Sequence, residues 1–329
     1  MKEPFVSVIM PVYGVEAYIG RCLESLAAQT FKDFEVVVVD DCTPDASMEI
    51  VGEFKATHPD MNIRTVRRSQ NGGLSAARNS GIHEARGKYL YFLDSDDDIT
   101  SECLQLLSAP VINGDVDVVI TGNTIVKSSD RKEITPLLKP GIYEATELFD
   151  AFLARRWYSV AWNKLVRREL VLANKLFFAE GKILEDELWS FQLAAVAKSL
   201  VVVEGHTYNY YVREKSTLTS VAGSAKRWLI FLEINKLEHE FIVVRGLQGH
   251  AGVQQYVFRN IQVNMNGLER YGALDYTRYK QLRTMNIARI GCLRKNGIIG
   301  FKEAMAYRHL NMPAPLGYAY CKIMKMLGA

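Results

Sequence analysis

Four short runs of apolar, β-branched and aromatic residues recur through the first hundred positions, each separated from the next by room for one helix. They are FVSVIM (5–10), FEVVVVD (34–40), NIRTV (62–66) and KYLYFLD (88–94). Near-continuous apolar runs of this length mark strands buried on both faces, not the half-polar strands of an open antiparallel sheet. The stretches near 16–28, 45–57 and 74–85 have helical character, and Pro44 with Asp45 just ahead of Ser47 supplies a start signal for the second. Repeated strand–helix–strand units imply right-handed crossovers and a parallel sheet with helices on both sides. A further strand is expected at 116–120.

The fold class that follows is α/β, with a mostly parallel, Rossmann-like sheet flanked by helices. Beyond it the pattern loosens. A helix is expected over 146–156, a short strand over 162–166, a helix over 185–199, and two strands over 199–205 and 206–212 that finish the sheet in antiparallel fashion. From about 221 helical stretches such as 226–244 dominate. The expected division is therefore 1–220 and a helical C-terminal region, 221–329, which suits a chain of 329 residues. Charge divides along similar lines. Residues 1–110 hold 10 Lys/Arg against 17 Asp/Glu, whereas residues 221–329 hold 16 against 6. A basic last third suits an anionic lipid, an anionic polymer or nucleic acid, or a solvated helical surface.

Composition excludes several classes. With 48% hydrophobic and 23% charged residues the chain is neither disordered nor fibrous. No apolar run approaches the roughly 20 residues of a membrane span. The start, MKEPFVSVIMPVYG, is interrupted by Pro11 and lacks a small-residue cleavage site, so it is not read as a signal peptide. Five scattered cysteines without a CxxC pair point to reduced thiols in a cytoplasmic protein.

Chemistry-bearing residues gather where the strands end. Pro11-Val12-Tyr13 follows the first, Asp40-Asp41 the second, and Asp94-Ser95-Asp96-Asp97-Asp98 the fourth. In open parallel sheets ligands bind at the carboxyl ends of strands, so three such coincidences on one edge define a candidate site. Four carboxylates in five residues repel one another unless a cation or donors answer them, and DxD spacing on a turn suits Mn²⁺ or Mg²⁺ together with phosphate oxygens. An EF-hand is excluded, because Ile99 stands where its glycine belongs and Gln105 where its glutamate belongs. A haloacid-dehalogenase phosphatase would carry its DxD on the first strand. Taken alone, Asp41 reads first as a helix-capping or turn residue, and otherwise as an acceptor for a base N–H or a ribose hydroxyl. Asn71-Gly72-Gly73 leads into a helix on which Arg78 could reach a phosphate or a base edge. No GxGxxG follows the first strand, against a dinucleotide-binding oxidoreductase. Glu185-Asp186-Glu187 opens a helix, as ordinary dipole-stabilising residues or as a source of a general base.

Taken together, VSVIMPVYGVEAYIGRCLESLAAQTFKDFEVVVVDDCTPDAS, NGGLSAARNSGI, GKYLYFLDSDD, WNKL and ILEDELW resemble the family 2 glycosyltransferases, in order and spacing, over roughly residues 5–215. The resemblance implies the A-type glycosyltransferase fold, a nucleotide-sugar donor (a UDP-sugar above others), a divalent metal, Mn²⁺ or Mg²⁺, and inversion at the anomeric carbon. It further implies work on bacterial surface or capsular polysaccharide, with a saccharide or lipid-linked saccharide as acceptor and no nucleic acid partner. Residue by residue, Pro11 and Tyr13 match positions lining the nucleobase pocket, and Asp41 the carboxylate that pairs with uracil. Asn71 and Arg78 match polar positions beside the nucleotide. Asp94 matches a position near the ribose, Asp96 the metal ligand, Asp186 the catalytic base, and Glu185 its neighbour. Trp162-Asn163-Lys164 is similar to a segment flanking the donor and acceptor sites. Gly14 departs from the family pattern, which has Asn there, and donor-side positions within 213–216 align loosely. The competing readings are a nucleotidyltransferase, which would carry a glycine-rich basic loop after the first strand, and a catalytically silent nucleotide-sugar-binding module, which would have lost the DxD or the base.

The chain closes on LGYAYCKIMKMLGA (316–329), in which Leu316, Tyr320, Ile323 and Leu327 would share a helix face beside Lys322 and Lys325. Such a face either attaches the protein peripherally to the inner side of the plasma membrane or packs on the helical region.

Overall fold

The computed structural model describes residues 3–112, 114–127, 130–212 and 224–326. It divides into two compact units, Met1–Ser216 and Thr217–Ala329.

The first unit is built on β1 (Val6–Val12), α1 (Ile19–Ala27), β2 (Phe34–Asp40), α2 (Ser47–Thr57), β3 (Ile63–Arg67), α3 (Gly73–Glu84) and β4 (Tyr89–Phe92). These strands pair in parallel in the order β3-β2-β1-β4. β1 is buried along its whole length, as its unbroken apolar run requires. Chain order reverses at β1, with β2 on one side and β4 on the other, and the crevice outside the carboxyl ends of that pair is where such a sheet accepts ligands. α2 begins as its sequence signal predicts, the Asp45 carboxylate accepting from the Ser47 N–H at 3.2 Å. Hydrogen bonds from Ser47, Thr43 and Glu16 outweigh burial and hold that carboxyl down at about 2.

α3 lies against β1 through small residues. A Cβ on Gly81 would fall 2.3 Å from the Ile9 Cγ2, so only glycine permits this approach. The short distance carries the helix, with Ala76, Ala77 and Arg78 buried, directly under the sheet's carboxyl edge.

The rest of the first unit comprises β5 (Asp98–Ile99), α4 (Cys103–Ser108), β6 (Val118–Lys127), β7 (Asp130–Ile134), β8 (Gly141–Glu144), α5 (Ala145–Leu153), β9 (Lys164–Arg167), α6 (Arg168–Ala173), α7 (Glu185–Val196) and β10 (Ser199–Tyr211). The sheet is mixed beyond β4: β9 runs antiparallel to β4 and β6 and joins them. Three expectations are corrected here. The strand expected at 116–120 extends to Lys127, and β7 and β8 were not expected at all. The two strands expected at 199–205 and 206–212 are one, β10, which runs parallel to β6 and shifts register around His206. Gly205, at φ +132, absorbs the irregularity that resembled a break in the sequence. The antiparallel finish belongs instead to β5, β7, β8 and β9.

The second unit is helical among its described residues: α8 (Ala225–Val244), α9 (Ala251–Arg270), α10 (Tyr276–Met285), α11 (Ile290–Lys295), α12 (Phe301–Ala306) and α13 (Ala314–Met326). α8 and α9 enclose a polar seam in which the buried Glu238 accepts from Tyr256 at 2.8 Å and from Asn260 at 3.2 Å. No described helix is long and apolar enough to cross a membrane. On α13, Leu316 is 65% and Ile323 54% exposed. Tyr320 instead donates to the Met305 carbonyl at 2.9 Å, and Lys322 pairs with Glu269 at 3.5 Å, so the expected free face is narrower than the sequence pattern implied. Leu327 and the Lys325 side chain lie outside the described residues, as do positions 213–216.

Candidate active site

The acidic turn after β4 splits its four carboxylates into two pairs. Asp97 and Asp98 turn inward: Asp97 accepts from the Tyr208 hydroxyl at 2.7 Å and the Tyr211 N–H at 2.8 Å, while Asp98 accepts from Asn209 at 2.6 Å and pairs with Arg21 at 3.0 Å. Burial, reinforced by the charges of Asp96 and Asp94, pushes the Asp97 carboxyl up to about 9. Asp94 and Asp96, the alternate positions, stay partly exposed. Ser95 between them donates to the Pro11 carbonyl at 2.7 Å, and Arg21 donates to the Asp96 carbonyl at 2.6 Å, fixing the turn against the end of β1. The turn does not cap α4, whose first turn donates instead to Gln29, from the Leu104 N–H to the side-chain oxygen at 3.0 Å.

Arg78 is the centre of the arrangement. It is 2% exposed, and its two terminal nitrogens reach Asp94 at 2.7 Å and Glu185 at 2.9 Å. It was expected beside the nucleotide with a phosphate or base edge in reach; it is instead committed to two carboxylates. It thereby ties the DxD turn to the first turn of α7, and Asp186 with it. Burial, with the charges of Glu185 and Glu187 added and those of Arg78 and Lys164 opposed, pushes the half-buried Asp186 carboxyl up to about 7. Glu185 also moves up, chiefly through burial. A carboxylate poised near neutrality at the mouth of a cleft suits proton transfer. The loop leading into α7 is held by Asn79, which donates to the Phe178 carbonyl at 2.9 Å and accepts from the Phe178 N–H at 2.8 Å.

Asp41 takes the capping role: it accepts from Gly72 N–H at 3.0 Å and Gly73 N–H at 2.8 Å, and pairs with Arg68 at 2.5 Å. It therefore stabilises the N-terminus of α3 and stands 2% exposed just beyond the carboxyl end of β2. Tyr13, 53% exposed, and the exposed Asn71 lie on the loops above it, while Pro11 is buried in β1. Gly14 adopts φ +66 and donates to Thr43 at 2.8 Å, so the departure from the family's Asn supplies a left-handed residue to an anchored loop.

Strain collects on the same edge. Of the five described non-glycine residues at positive φ, Cys42 follows Asp41, Asn163 precedes Lys164, and Leu184 precedes Glu185. Each such residue costs about 1–3 kcal/mol and is retained where surrounding bonds over-determine it, often at functional sites. Sequence reasoning singled out Trp162-Asn163-Lys164 but assigned no role to Lys164, which is fully buried. A lysine just ahead of the apolar Leu165-Val166 pair of β9 was the signal. Arg21 and Arg68, which fix the DxD turn and Asp41, were missed because isolated arginines carry no pattern.

The donor set can be tested against the implied metal. Among the described residues no cluster of three or more His, Cys, Asp or Glu could hold an ion alone. Asp96 with Asp94 offers hard carboxylate oxygens at one turn, and Mg²⁺-like ions are commonly held by one or two carboxylates plus substrate phosphates. The crowded negative charge around Asp97 is also what a cation relieves. The residues fit.

A mixed α/β sheet carrying an acidic turn and a carboxylate-bearing helix at the carboxyl ends of its parallel strands defines an α/β protein with its ligand site at a topological switch point. Residues 7–172 match the family described as Glycosyl transferase family 2, and the chain belongs to that family. It is 36% identical over 216 residues to "Uncharacterized glycosyltransferase EpsJ" of Bacillus subtilis (strain 168), covering 63% of this chain and 61% of that one. It is 31% identical over 225 residues to poly(ribitol-phosphate) beta-N-acetylglucosaminyltransferase TarS of Staphylococcus aureus (strain Mu50 / ATCC 700699), covering 66% of this chain and 37% of the other. The chain thus spans under two thirds of the length of these relatives. The crystal structure of S. aureus TarS 1-349 in complex with UDP-GlcNAc matches with a TM-score of 0.60 at 24% identity, over 86% of this chain and 88% of that one. The fold is the A-type glycosyltransferase fold.

Proposed function

We propose that the protein is an inverting glycosyltransferase that moves a sugar from a nucleotide-sugar, a UDP-sugar first among candidates, to an acceptor hydroxyl in surface or capsular polysaccharide synthesis. The observation that carries this reading is the Arg78 bridge, which brings the DxD turn and the Glu185-Asp186 pair into one site. UDP-GlcNAc in the TarS complex and the polymer-glycosylating activity in the TarS name support the donor and acceptor classes.

Asp186 acts as general base, accepting the acceptor hydroxyl's proton while that oxygen attacks the anomeric carbon from the face opposite the nucleoside diphosphate. The oxygen–carbon bond forms as the carbon–phosphate oxygen bond breaks, and one displacement gives inversion without an enzyme nucleophile. Arg78 holds the two halves of the site at fixed separation. Asp41, through α3, sets the base end, with Pro11, Tyr13 and Asn71 around it. Asp96 would hold Mn²⁺ or Mg²⁺, which would supply positive charge to offset that on the departing diphosphate.

The test is a donor screen that follows nucleoside diphosphate release with and without saccharide acceptors. Acceptor-dependent release of UDP supports the reading. Pyrophosphate release from a nucleoside triphosphate would instead make the protein a nucleotidyltransferase, and binding without turnover a silent module.

We further propose peripheral attachment to the inner, anionic face of the plasma membrane through exposed Leu316 and Ile323 on α13, supported by ten excess positive charges in residues 221–329. Salt-sensitive flotation with anionic vesicles, lost in a Leu316→Ser/Ile323→Ser variant, is expected. Failure of the parent protein to float at low salt would end the proposal.

A further inference from the structure

Lys164 is the only buried lysine among the described residues, at 0% exposure. Removing an ammonium from water is costly unless something in the surroundings answers the charge. A side chain needed only to fill this volume would be methionine or leucine.

The backbone that presents it is fixed with unusual thoroughness. Asn163, at φ +58, donates to the carbonyls of Thr121 and Gly122 at 2.9 and 3.0 Å. Its own oxygen accepts from the hydroxyls of Thr121 and Thr207 at 2.9 and 3.2 Å. The Lys164 ammonium donates to the Val160 carbonyl. That carbonyl also lies 3.5 Å from the Ser190 hydroxyl, which bonds mainly to the Ser159 carbonyl at 2.7 Å. Ser190 is four residues after Asp186 on α7, hence on the same helix face. The ammonium therefore stands beside the second turn of α7, one turn along from Asp186.

The charged groups facing it come from two helices. Asp186 and Glu187 on α7 favour its charge, and Arg78 on α3 opposes it; burial is the larger influence and pushes the amine down to about 7. Glu187 also leans toward Arg155, at 3.9 Å. Around Asp186 the two anions are Glu185 and Glu187 and the two cations are Arg78 and Lys164. Arg78 has both terminal nitrogens committed to Asp94 and Glu185. Arg78 has the larger influence on Asp186, and Lys164 is the cation that makes no ion pair with another carboxylate among the described residues.

We propose that Lys164 is a positioning residue for the base, its buried ammonium favouring the ionised Asp186 carboxylate through space from beside α7. This rests on the reading of Asp186 as base, and the test separates the two. The pH dependence of kcat/KM for sugar transfer is measured for the parent protein, Lys164→Met, Lys164→Arg and Asp186→Asn, with donor affinity and melting temperature in parallel.

For Lys164→Met the acid limb should move up by about one pH unit, with transfer near pH 6 falling about tenfold and partly recovering at high pH. Donor affinity should stay within a few-fold. Lys164→Arg, which keeps the charge, should keep the limb near its original position. An unmoved limb in Lys164→Met, with any loss of activity following the loss of thermal stability, overturns the proposal and leaves the lysine structural. Transfer surviving in Asp186→Asn overturns the base assignment instead, whatever Lys164 does. Should the Met variant not fold, Lys164→Gln, which keeps a donor for Val160, replaces it and is read in the same way.

Discussion

The sheet of the first unit buries a polar network at each of its two edges, and the networks are built to opposite ends. At the amino edge Glu35, 1% exposed, accepts from the Ser7 hydroxyl at 2.6 Å, the Arg86 N–H at 2.8 Å and the Arg64 Nε at 2.9 Å. Burial alone would raise its carboxyl, but these hydrogen bonds and the Arg64 charge outweigh burial and hold it below the usual carboxylate range. At the carboxyl edge the same cost of burial wins, and Glu185, Asp186 and Asp97 are all displaced upward. One edge has donors to match its carboxylate. The other has carboxylates to spare. The difference separates a network that holds strands together from one kept ready for protons and cations, a distinction that burial alone does not make.

Four measurements press on that contrast. The largest effect is expected from Asp186→Asn, which should reduce sugar transfer by about 10³-fold while leaving donor affinity within a few-fold. The same variant has a signature in stability. Because the Asp186 carboxyl sits at about 7 in the fold, above its unfolded value of about 3.9, stability is lost as pH rises between those values and the loss is complete above 7. The Asn variant should therefore melt higher than the parent at pH 8 and at nearly the same temperature at pH 4. Equal shifts at both values would remove Asp186 from the set of strained carboxylates.

Asp96→Asn should follow, with a loss of at least about 100-fold. Chelator should abolish transfer by the parent protein, and Mn²⁺ or Mg²⁺ should restore it. Full activity in excess chelator would leave Asp96 without a metal to hold.

At the amino edge the expectation reverses. Glu35→Ala removes the acceptor shared by Ser7, Arg64 and Arg86 and should cost about 3 kcal/mol of stability, with turnover below the melting range nearly unchanged. Since its folded carboxyl lies below the unfolded value, the stability that Glu35 contributes is present above about pH 4.3 and fades as pH falls through the folded value. Denaturant titrations at pH 7 and pH 3 check the sign, and a penalty that grows on acidification would contradict it. The smallest effect is expected for Gly81→Ala, which sets a methyl group against Ile9 and should cost about 1–3 kcal/mol by overpacking. A neutral result would mean that α3 can move off the sheet.

Much of this was legible in the chain. The first four strands announced themselves because burial on both faces leaves uninterrupted apolar runs, and the strand ends carried the candidate site. Strand direction was not legible: KLVR of β9 reads the same whether it runs with or against its neighbours. The join in β10 was hidden by a local irregularity around Gly205. Within the acidic turn, spacing marked Asp94 and Asp96. The inward fate of Asp97 and Asp98 depended on Tyr208 and Asn209, each 111 residues away. Likewise the carboxylates that claim Arg78 are 16 and 107 residues distant, so a residue expected to face a ligand proved to be the tie between two parts of the site. Local pattern names the chemistry, and long-range pairing decides which copy of it is free.

The close seating of α3 on β1 bears on how this scaffold can be re-tuned. Arg78 reaches its two carboxylates because the backbone delivers it there, and Gly81 leaves no slack for that backbone to shift. Altered donor preference is therefore best sought in the solvent-facing loops that carry Tyr13 and Asn71. Variation in α3 would be paid in lost registration between the two halves of the site, so a library aimed at new sugars should treat residues 73–84 as fixed framework.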